Sequence, residues 1–535
     1  MIKKVALFML TVMVSFLLMI SGCSGSNDKA EDNSKTATPN KEGYTLPIVE
    51  DGSVTLSYAG IDNWYAPASY SHNLAVWQEI EKKTGVKIKW EVMPANSYWS
   101  SLNTRMASGM TLPDIIRVNE PDLFKHASDG LLVPLDTLID QYAPNIKKLF
   151  ADEPQIKKLL MQADGKIYSA TQIMTASVEM EPWVFGIRKD WLDMMDLELP
   201  ETLEDWYNAL KSFKKLDYSI IPMTTGVTNP GQARSLYGLF GHAFGLNDMV
   251  FSEGWGVGPD DKVSYTFIMP QYKEFLGYLN KLYKEGLIDP QLVQGDQFTS
   301  QIANNRVGVV AGYTSAILRY NDLLKKSGVP DANYAFVLPP KGSNGEAVSA
   351  KRRSVSGAFS ITKDCKYPEV AIKWLDFIWA SEEGRRLQSF GIEGITYTME
   401  DGSPKLTEFV TNNPDDLDSI SALRSVGAFT TLPDYRDIDL WEQILTPSQV
   451  EFANKIKANL IDRFPELTST PDEEERLALL MTDISIYIDE MYVSFIIGRE
   501  PLENFDKYIG KLRDMGIDKV IKIKQAQYNR YNSAE

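Results

Sequence analysis

The sequence predicts an α/β protein with at least two lobes and a mostly helical C-terminal region. Three observations support this prediction. Residues 53–118 alternate between strand-like and helix-like segments, the last third of the chain is dominated by helical patterns, and 513 of the 535 residues remain once an N-terminal signal is removed. A single hydrophobic core does not grow to that length, so more than one lobe is needed.

Residues 1–22 have the layout of a secretory signal peptide. Lys3 and Lys4 precede an apolar run at residues 5–20, and small residues follow. The run has 16 residues, fewer than the roughly 20 that span a bilayer as a helix. The segment ISGC at residues 20–23 resembles a bacterial lipobox, which implies that Cys23 carries a lipid and becomes the new N-terminus. The alternative is an ordinary signal anchor with an incidental cysteine.

A polar tether follows the proposed anchor. Residues 24–43 contain no aromatic side chain and are rich in Ser, Asn, Asp, Lys and Thr, so they bury too little apolar surface to fold. A flexible tether of this length has an r.m.s. reach of about 25 Å. Residues 23–43 are therefore expected to hold the globular part away from a membrane on the outside of the cell.

Charge and cysteine content exclude several classes of protein. The formal charge is −17, and removal of the two signal-peptide lysines takes it to −19. Such a chain repels nucleic acids and anionic lipid headgroups. With Cys23 lipidated, only Cys365 remains, so no disulfide forms within the chain, and the three histidines lack metal-ligand spacing.

The first lobe is predicted to begin with a parallel sheet. Strand patterns at residues 53–60, 86–93 and 113–118 are separated by helical patterns at 71–84 and 96–108, an order typical of parallel strands with covering helices. Ligands bind such sheets at the loops that leave the carboxyl ends of the strands. Those loops contain residues 62–65 and residues 119–120 here.

Later segments continue the mixture of strands and helices. Strand-like runs occur at residues 166–174, 183–192, 334–340 and 357–362, and residues 219–226 and 306–316 are each predicted to be a strand that leads into a loop. Helices are predicted at 201–216, at 270–286 and from Pro368. A long C-terminal helix is predicted to begin with Thr470 as its cap and Pro471 at its first position.

Several stretches carry a family resemblance. "ASGMTLPDIIRV", "FGIRKDWLDMM", "YLNKLYKEGLIDPQ" and "GIEGITY", in this order and at these separations, resemble lipoprotein solute-binding proteins of carbohydrate ABC transporters. The subgroup is similar to alginate- and pectin-oligosaccharide binders. The resemblance implies a two-lobed periplasmic-binding-protein-like fold of type II, in which the lobes close on ligand about a hinge.

The family fold implies a division of the chain. Residues 44–180 plus 336–364 are expected to form the N-terminal lobe, and residues 181–335 plus 365–535 the C-terminal lobe. Crossings are expected near residues 179–183, 335–338 and 362–365. Many relatives carry a calcium loop before an Ile-Pro pair, but only Asp217 remains at that point here. A calcium site needs six to eight oxygen ligands, so no metal is expected.

Candidate ligand-binding residues follow from the chemistry of sugars, whose apolar faces stack on aromatic rings and whose hydroxyls bind polar side chains. For each candidate the alternative is a structural role, such as packing under a loop or capping a helix. The candidates are Asp62, Trp64 and Tyr65 after the first strand, Asn119 and Glu120 after the third, Glu179 and Trp183 at the first crossing, and Arg234 and Tyr237 in a helix that begins near Gln232. The resemblance further implies Tyr313, which matches an aromatic ligand-facing position of relatives, and Glu393, which matches a carboxylate at the cleft edge of alginate binders.

Other features are interpreted as structural. "EGWGVGPDD" at residues 253–261 lacks the Lys-Ser/Thr of a phosphate loop and is predicted to be a turn-flanked strand. Trp374, Phe377 and Trp379 are expected to pack in a core. Residues 351–353, Lys-Arg-Arg, are taken as a solvated loop, with a role toward anionic sugars as the alternative, and Cys365 as an inert buried thiol.

The sequence and the resemblance favour a membrane-anchored monomer on the extracytoplasmic face of a Gram-positive cell. It is expected to deliver an oligosaccharide to the permease subunits of an ABC importer, without a cofactor. Two alternatives remain. A surface glycoside hydrolase needs a pair of carboxylates across the scissile bond, which no pattern singles out, and a sugar sensor would share the fold and differ in its partner.

Overall fold

The computed structural model describes residues 45–63, 65–174, 181–224, 233–234, 237–291, 297–351, 354–436 and 438–533. The signal peptide, Cys23 and the tether lie outside these residues. The described residues belong to one unit, Pro39–Glu535. None of the helices in these ranges combines the length and apolar character that crossing a membrane requires.

The first sheet has five strands and confirms the predicted parallel start. Its spatial order is Lys87–Met93, Thr55–Ile61, Ile115–Val118, Val355–Ile361 and Ala170–Ile173. The first three strands are mutually parallel and are linked through the helices Ala75–Thr84 and Ala95–Ala107. The last two strands are added by later parts of the chain, and Val355–Ile361 runs antiparallel to both of its neighbours.

The second sheet has four strands, in the order Tyr334–Val337, Trp183–Arg188, Val307–Tyr313 and Ile221–Met223. Residues 307–312 are all buried, as expected for a strand that is covered on both faces. Trp183 and Tyr313 are directly paired at the end of this sheet.

In each sheet, the strand ends that lead into the connecting segments lie on the same side, and this side is called the edge of the sheet below. In the first sheet, the pairing places Ile173 and Val355 at one edge. In the second, Trp183 and Tyr313 share an edge, and the end of Tyr334–Val337 lies there as well. The chain passes from Ile173 to Trp183 and from Val337 to Val355, so these edges border the space between the lobes.

Each sheet has its own large hydrophobic core. The first core joins the first sheet to the helices Pro368–Ala380 and Glu382–Phe390. The second joins the second sheet to Pro270–Lys284 and to the C-terminal helices. Trp374, Phe377 and Trp379 are fully buried in the first core, as predicted.

The structure differs from the expected division at residues 365–535. Residues between Ala371 and Leu445 contribute to the first core, not to the second. The helix Pro368–Ala380 is buried on nearly all sides, and its Asp376 accepts hydrogen bonds from Asn145 Nδ2 at 2.6 Å and Ile146 N at 2.8 Å. These contacts tie the helix to the first lobe, so residues 362–365 do not lead into the second core.

The other connections shift accordingly. Phe336 and Val337, expected in the first lobe, pair with Gly186 and Phe185 in the second sheet, so this connection lies between Val337 and Val355. After Leu445 of the first core, residues such as Ile456 and Leu460 pack with Val184 against the second sheet. The third connection therefore lies near residues 446–455.

The C-terminal helix Pro471–Ile497 begins where the sequence predicts. Thr470 and Glu473 form a capping box at its start, in which each side chain bonds the backbone N–H of the other residue. Its far end is held by Asn280, whose Nδ2 donates to Phe495 O at 3.0 Å and Ile496 O at 2.9 Å.

Short strands and further helices complete the described residues. Three two-stranded pairs are Trp255–Val257 with Val263–Tyr265, Ser349–Ala350 with Leu460–Ile461, and Tyr397–Glu400 with Ser403–Leu406. The first pair confirms the turn-flanked strand predicted within residues 253–261. The remaining α-helices are Leu123–Ser128, Asp136–Tyr142, Pro144–Asp152, Pro154–Leu160, Lys189–Met194, Leu203–Phe213, Phe298–Ala303, Thr314–Lys326, Glu408–Thr411, Ser419–Ser425, Ile438–Ile444, Pro447–Ile456, Phe505–Asp514 and Ile517–Ser533.

Cys365 is half-buried and packs against the first core. Burial raises the pKa of its thiol to about 12. Because the thiolate is the nucleophile, a thiol with so high a pKa is unreactive near neutral pH.

Candidate functional site

The loop after the first strand is organised by Asp62. Its Oδ1 accepts from the backbone N–H groups of Asn63 at 2.8 Å and Tyr70 at 3.1 Å, and its Oδ2 accepts from Ser69 Oγ at 2.6 Å. Tyr65 is half-buried in the same loop, where its N–H donates to Asn63 Oδ1 at 3.0 Å. Trp64 lies outside the described residues. Asp62 thus shapes the loop, and its contact with a ligand remains a prediction.

Glu120 joins two strands at the edge of the first sheet. Its Oε1 accepts from the backbone N–H of Gly357, which links the end of Ile115–Val118 to the start of Val355–Ile361. Gly357 has a φ of 78°, and a Cβ there would lie 2.9 Å from the Phe359 ring, so only glycine fits. Asn119 instead bonds Asp122 through Nδ2 at 3.0 Å.

A cavity of about 520 Å³ lies between the two lobes beside Glu120. This volume is within the range of small-molecule binding sites. Residues of the first lobe form one wall, and residues 251–255, 463–485 and Lys524 of the second lobe form the other. The lining includes Glu120, Leu123, Phe124, Leu160, Gln162, Thr171, Gly357, Phe251, Glu253, Trp255, Arg463, Phe464, Glu466, Glu474, Met481 and Lys524.

Asp248 builds the turn that brings aromatic rings to the second wall. Its side chain is 5% exposed and accepts the backbone N–H groups of Val250 at 3.0 Å, Phe251 at 2.8 Å and Ser252 at 2.7 Å. The turn continues through Glu253, with a φ of 51°. Such a left-handed conformation is uncommon outside glycine and needs support from its surroundings.

The aromatic part of this wall rests on further rings. Trp255 stacks on Tyr265 with 4.1 Å between ring centroids, and Phe464 lies 6.4 Å from Trp255. Lys524 is half-buried, with Nζ 5.9 Å from the Trp255 ring centroid. Burial lowers the pKa of Lys524, and the nearby carboxylates of Glu474 and Glu253 oppose that effect.

The structure brings Trp183 and Tyr313 together at the edge of the second sheet. Their ring centroids are 4.6 Å apart in an edge-to-face arrangement, and Phe251 lies 6.2 Å from Trp183 and 6.5 Å from Tyr313. Because Phe251 also lines the cavity, these three rings extend the cavity wall toward the first connection. Glu179 lies outside the described residues. The nearby Glu181 is buried and accepts from Ser315 Oγ.

Among the described candidates, Glu120 alone is part of the cavity lining, and three of the others have surroundings of a different kind. Tyr237 is fully buried in the second core. Arg234 forms an ion pair with Asp489 at 3.2 Å and packs over the Phe267 ring at 4.4 Å. Glu393 lies on an exposed turn that contributes nothing to the cavity lining. The structural alternative therefore describes Tyr237 and Arg234 better than ligand binding does.

Sequence reasoning missed Phe251, Trp255, Arg463 and Lys524. Phe251 and Arg463 lie on a turn and a loop that no periodic pattern marks, whereas Trp255 begins a short strand and Lys524 lies on the helix Ile517–Ser533. Within the described ranges, no group of three or more His, Cys, Asp or Glu side chains is arranged to hold a metal ion. Asp217 accepts the N–H of Ser219 at 2.8 Å in an exposed loop, and calcium independence remains a prediction.

Comparison with known proteins gives a consistent family. The chain is 26% identical to the fructooligosaccharide ABC transporter substrate-binding protein FusA of Streptococcus pneumoniae, over 98% of this chain and 97% of the relative. It is 22% identical to a polygalacturonan/rhamnogalacturonan-binding protein of Bacillus subtilis, over 94% of each.

Solved structures show the same fold. An alginate-binding protein crystallised without calcium has a TM-score of 0.76 and 24% identity, covering 90% of this chain and 99% of that one. The Streptococcus pneumoniae protein FusA in complex with kestose has a TM-score of 0.73 and 23% identity, covering 90% of this chain and all of that one. The family model for bacterial extracellular solute-binding proteins matches residues 66–384, which is more than half of the sequence, so the chain belongs to the family of bacterial extracellular solute-binding proteins.

Proposed function

We propose that the protein binds an oligosaccharide outside the cell and delivers it to an ABC importer. The observation that carries this proposal is the cavity of about 520 Å³ between the lobes, which combines aromatic rings with carboxylates and cations. Sugars are bound by such mixed surfaces, because their C–H faces are apolar and their edges carry hydroxyls. The names of two curated relatives, which concern fructooligosaccharides and pectic polysaccharides, support the ligand class.

The proposed working unit is a monomer with two lobes about a hinge. We assign residues 45–174 and 355–445 to the first lobe, because their buried residues form the first core. The second sheet and residues 471–533 are assigned to the second lobe, because they share the second core. A ligand that contacts both walls of the cavity stabilises the closed arrangement by its higher affinity for that state. Permease subunits are proposed to recognise this closed arrangement.

The proposed location is the outer face of the cell membrane. The lipobox-like segment at residues 20–23 supports lipidation of Cys23. The two acyl chains of an N-terminal diacylglycerol are enough for stable anchoring, because one chain alone gives only marginal binding.

A ligand screen with product analysis tests this function. The mature protein is incubated with kestose, trigalacturonate, an alginate trisaccharide, diacetylchitobiose and maltotriose, and melting temperature and sugar composition are measured. A binding protein is stabilised by at least one sugar through mass action and returns that sugar intact. Cleavage of the stabilising sugar would favour the enzyme alternative, and no shift with any sugar would contradict the proposal.

A further inference from the structure

Arg463, a residue of the cavity lining, has a buried guanidinium nitrogen that lacks a hydrogen-bond partner. The side chain of Arg463 is 14% exposed, and its Nη2 donates to Glu466 Oε1. Its Nη1 is buried and has no acceptor. Among the arginines of the described ranges, no other guanidinium nitrogen is in this condition.

Such a group is costly in a ligand-free protein. A buried charged donor without an acceptor loses its hydration and gains nothing in return, so native structures contain few of them. A cavity wall is one place where the cost is understandable, because a ligand can supply the missing acceptor. The position of Arg463 in the lining of the cavity fits that explanation.

The loop that carries Arg463 is fastened to the aromatic wall. The backbone N–H of the next residue, Phe464, donates to Ser252 Oγ at 3.1 Å. Ser252 belongs to the turn that Asp248 holds. The Phe464 ring in turn lies near Trp255. A donor is therefore fixed beside aromatic rings, and this combination suits a sugar ring that stacks through one face and accepts hydrogen bonds at its edge.

We propose that the Arg463 guanidinium shifts on ligand binding so that Nη1, buried in the ligand-free protein, donates to a sugar oxygen and thereby sets the position of the oligosaccharide in the cavity. This inference rests on the proposed function. The ligand must supply an oxygen that accepts a hydrogen bond from Nη1. This oxygen belongs either to the carboxylate of a uronate or to a hydroxyl group or ring oxygen of a neutral sugar. The planar guanidinium remains paired with Glu466 through Nη2 while Nη1 reaches the ligand, an arrangement that a lysine ammonium does not reproduce.

The test compares Arg463→Met and Arg463→Lys with the wild-type mature protein. Isothermal titration uses kestose as the neutral probe and trigalacturonate as the acidic probe. We expect Arg463→Met to lose affinity at least about tenfold for the probe that binds, as for other buried arginine contacts. The ligand-free melting temperature is expected to stay the same or rise, because the unpaired N–H is removed.

The lysine variant and salt separate the two sources of the acceptor. If the partner is a carboxylate, Arg463→Lys keeps part of the affinity and binding weakens with added salt. If the partner is a neutral sugar oxygen, the lysine variant resembles Arg463→Met and salt has little effect. Arg476→Met is the matched control, since Arg476 is 65% exposed, pairs with Asp472 at 3.4 Å and does not line the cavity.

Three results would overturn the role of Arg463. Both variants could bind like the wild type, which would leave the proposed function intact. The ligand-free melting temperature of both variants could fall in parallel with affinity, which would make Arg463 a packing residue. Wild type that binds neither probe would also overturn the inference, and the proposed function would then stand only if another sugar in the screen stabilised the protein.

Discussion

Removal of the Asp248 carboxylate is expected to loosen the aromatic wall of the cavity. In Asp248→Ala, the N–H groups of Val250, Phe251 and Ser252 lose their acceptor. Ser252 is buried, so its stranded N–H costs about 1–3 kcal/mol, while Val250 and Phe251 are half-buried and cost about 0.5–1.5 kcal/mol each. The substitution also removes a buried negative charge, which favours the folded state and offsets part of the cost of the three N–H groups. We expect the free energy of unfolding to fall by about 3 kcal/mol.

Urea denaturation and sugar titration together measure the effect. Affinity should fall as well, because Phe251 and Trp255 are held at the cavity by the same turn. Asp248→Asn keeps one acceptor oxygen and should show an intermediate loss of stability. Asp217→Ala is the matched control, since Asp217 accepts one N–H in an exposed loop and its loss should change stability by less than about 0.5 kcal/mol. Unchanged stability and affinity in Asp248→Ala would refute the positioning role.

Four further outcomes are expected. Tyr313→Ala and Trp64→Ala should each weaken sugar binding by about 2 kcal/mol, over tenfold. Tyr313→Ala should also lower the ligand-free stability by about 0.5–1.5 kcal/mol, because its ring packs edge-to-face on Trp183, whereas Trp64→Ala should change it little. Normal titration of either variant would remove that residue from the site, and unfolding would assign its ring to packing. Small-angle scattering should give a smaller radius of gyration with saturating ligand, whereas an identical profile would argue for a rigid cleft. Excess chelator should leave the melting temperature unchanged, and a drop restored by calcium would reveal a site elsewhere. Cys23→Ala should appear in the medium or as an unprocessed precursor, so a processed, membrane-bound variant would rule out the anchor.

The parallel start of the first sheet was predictable because its signal is local. The alternation of apolar and polar residues within 53–118 fixes each strand, and short links through helices allow only parallel neighbours. The start of the helix Pro471–Ile497 was predictable for the same reason, since Thr470, Pro471 and Glu473 are adjacent in sequence.

The lobe to which a helix belongs was not predictable in this way. The helix Pro368–Ala380 has the apolar pattern that any core accepts, and its assignment depends on contacts such as Asp376 with Asn145, more than 200 residues away. Tyr237 shows the same difficulty. A tyrosine in a helix is compatible with a cleft or with a core, and only the packing of the second lobe decides that it is buried.

The two walls of the cavity are built differently, and this difference indicates how ligand selection works. On the second lobe, Asp248 fixes the turn, Ser252 fastens the loop of Phe464, and Tyr265 supports Trp255. On the first lobe, Glu120 ties two strands, and the rest of the wall mixes apolar residues with Lys125, Gln162, Ser169 and Thr171. The preorganised wall loses little conformational entropy on binding, so it is suited to select the sugar. The opposite wall then contributes contacts that form as the lobes close, and these contacts favour the closed state that a permease would recognise.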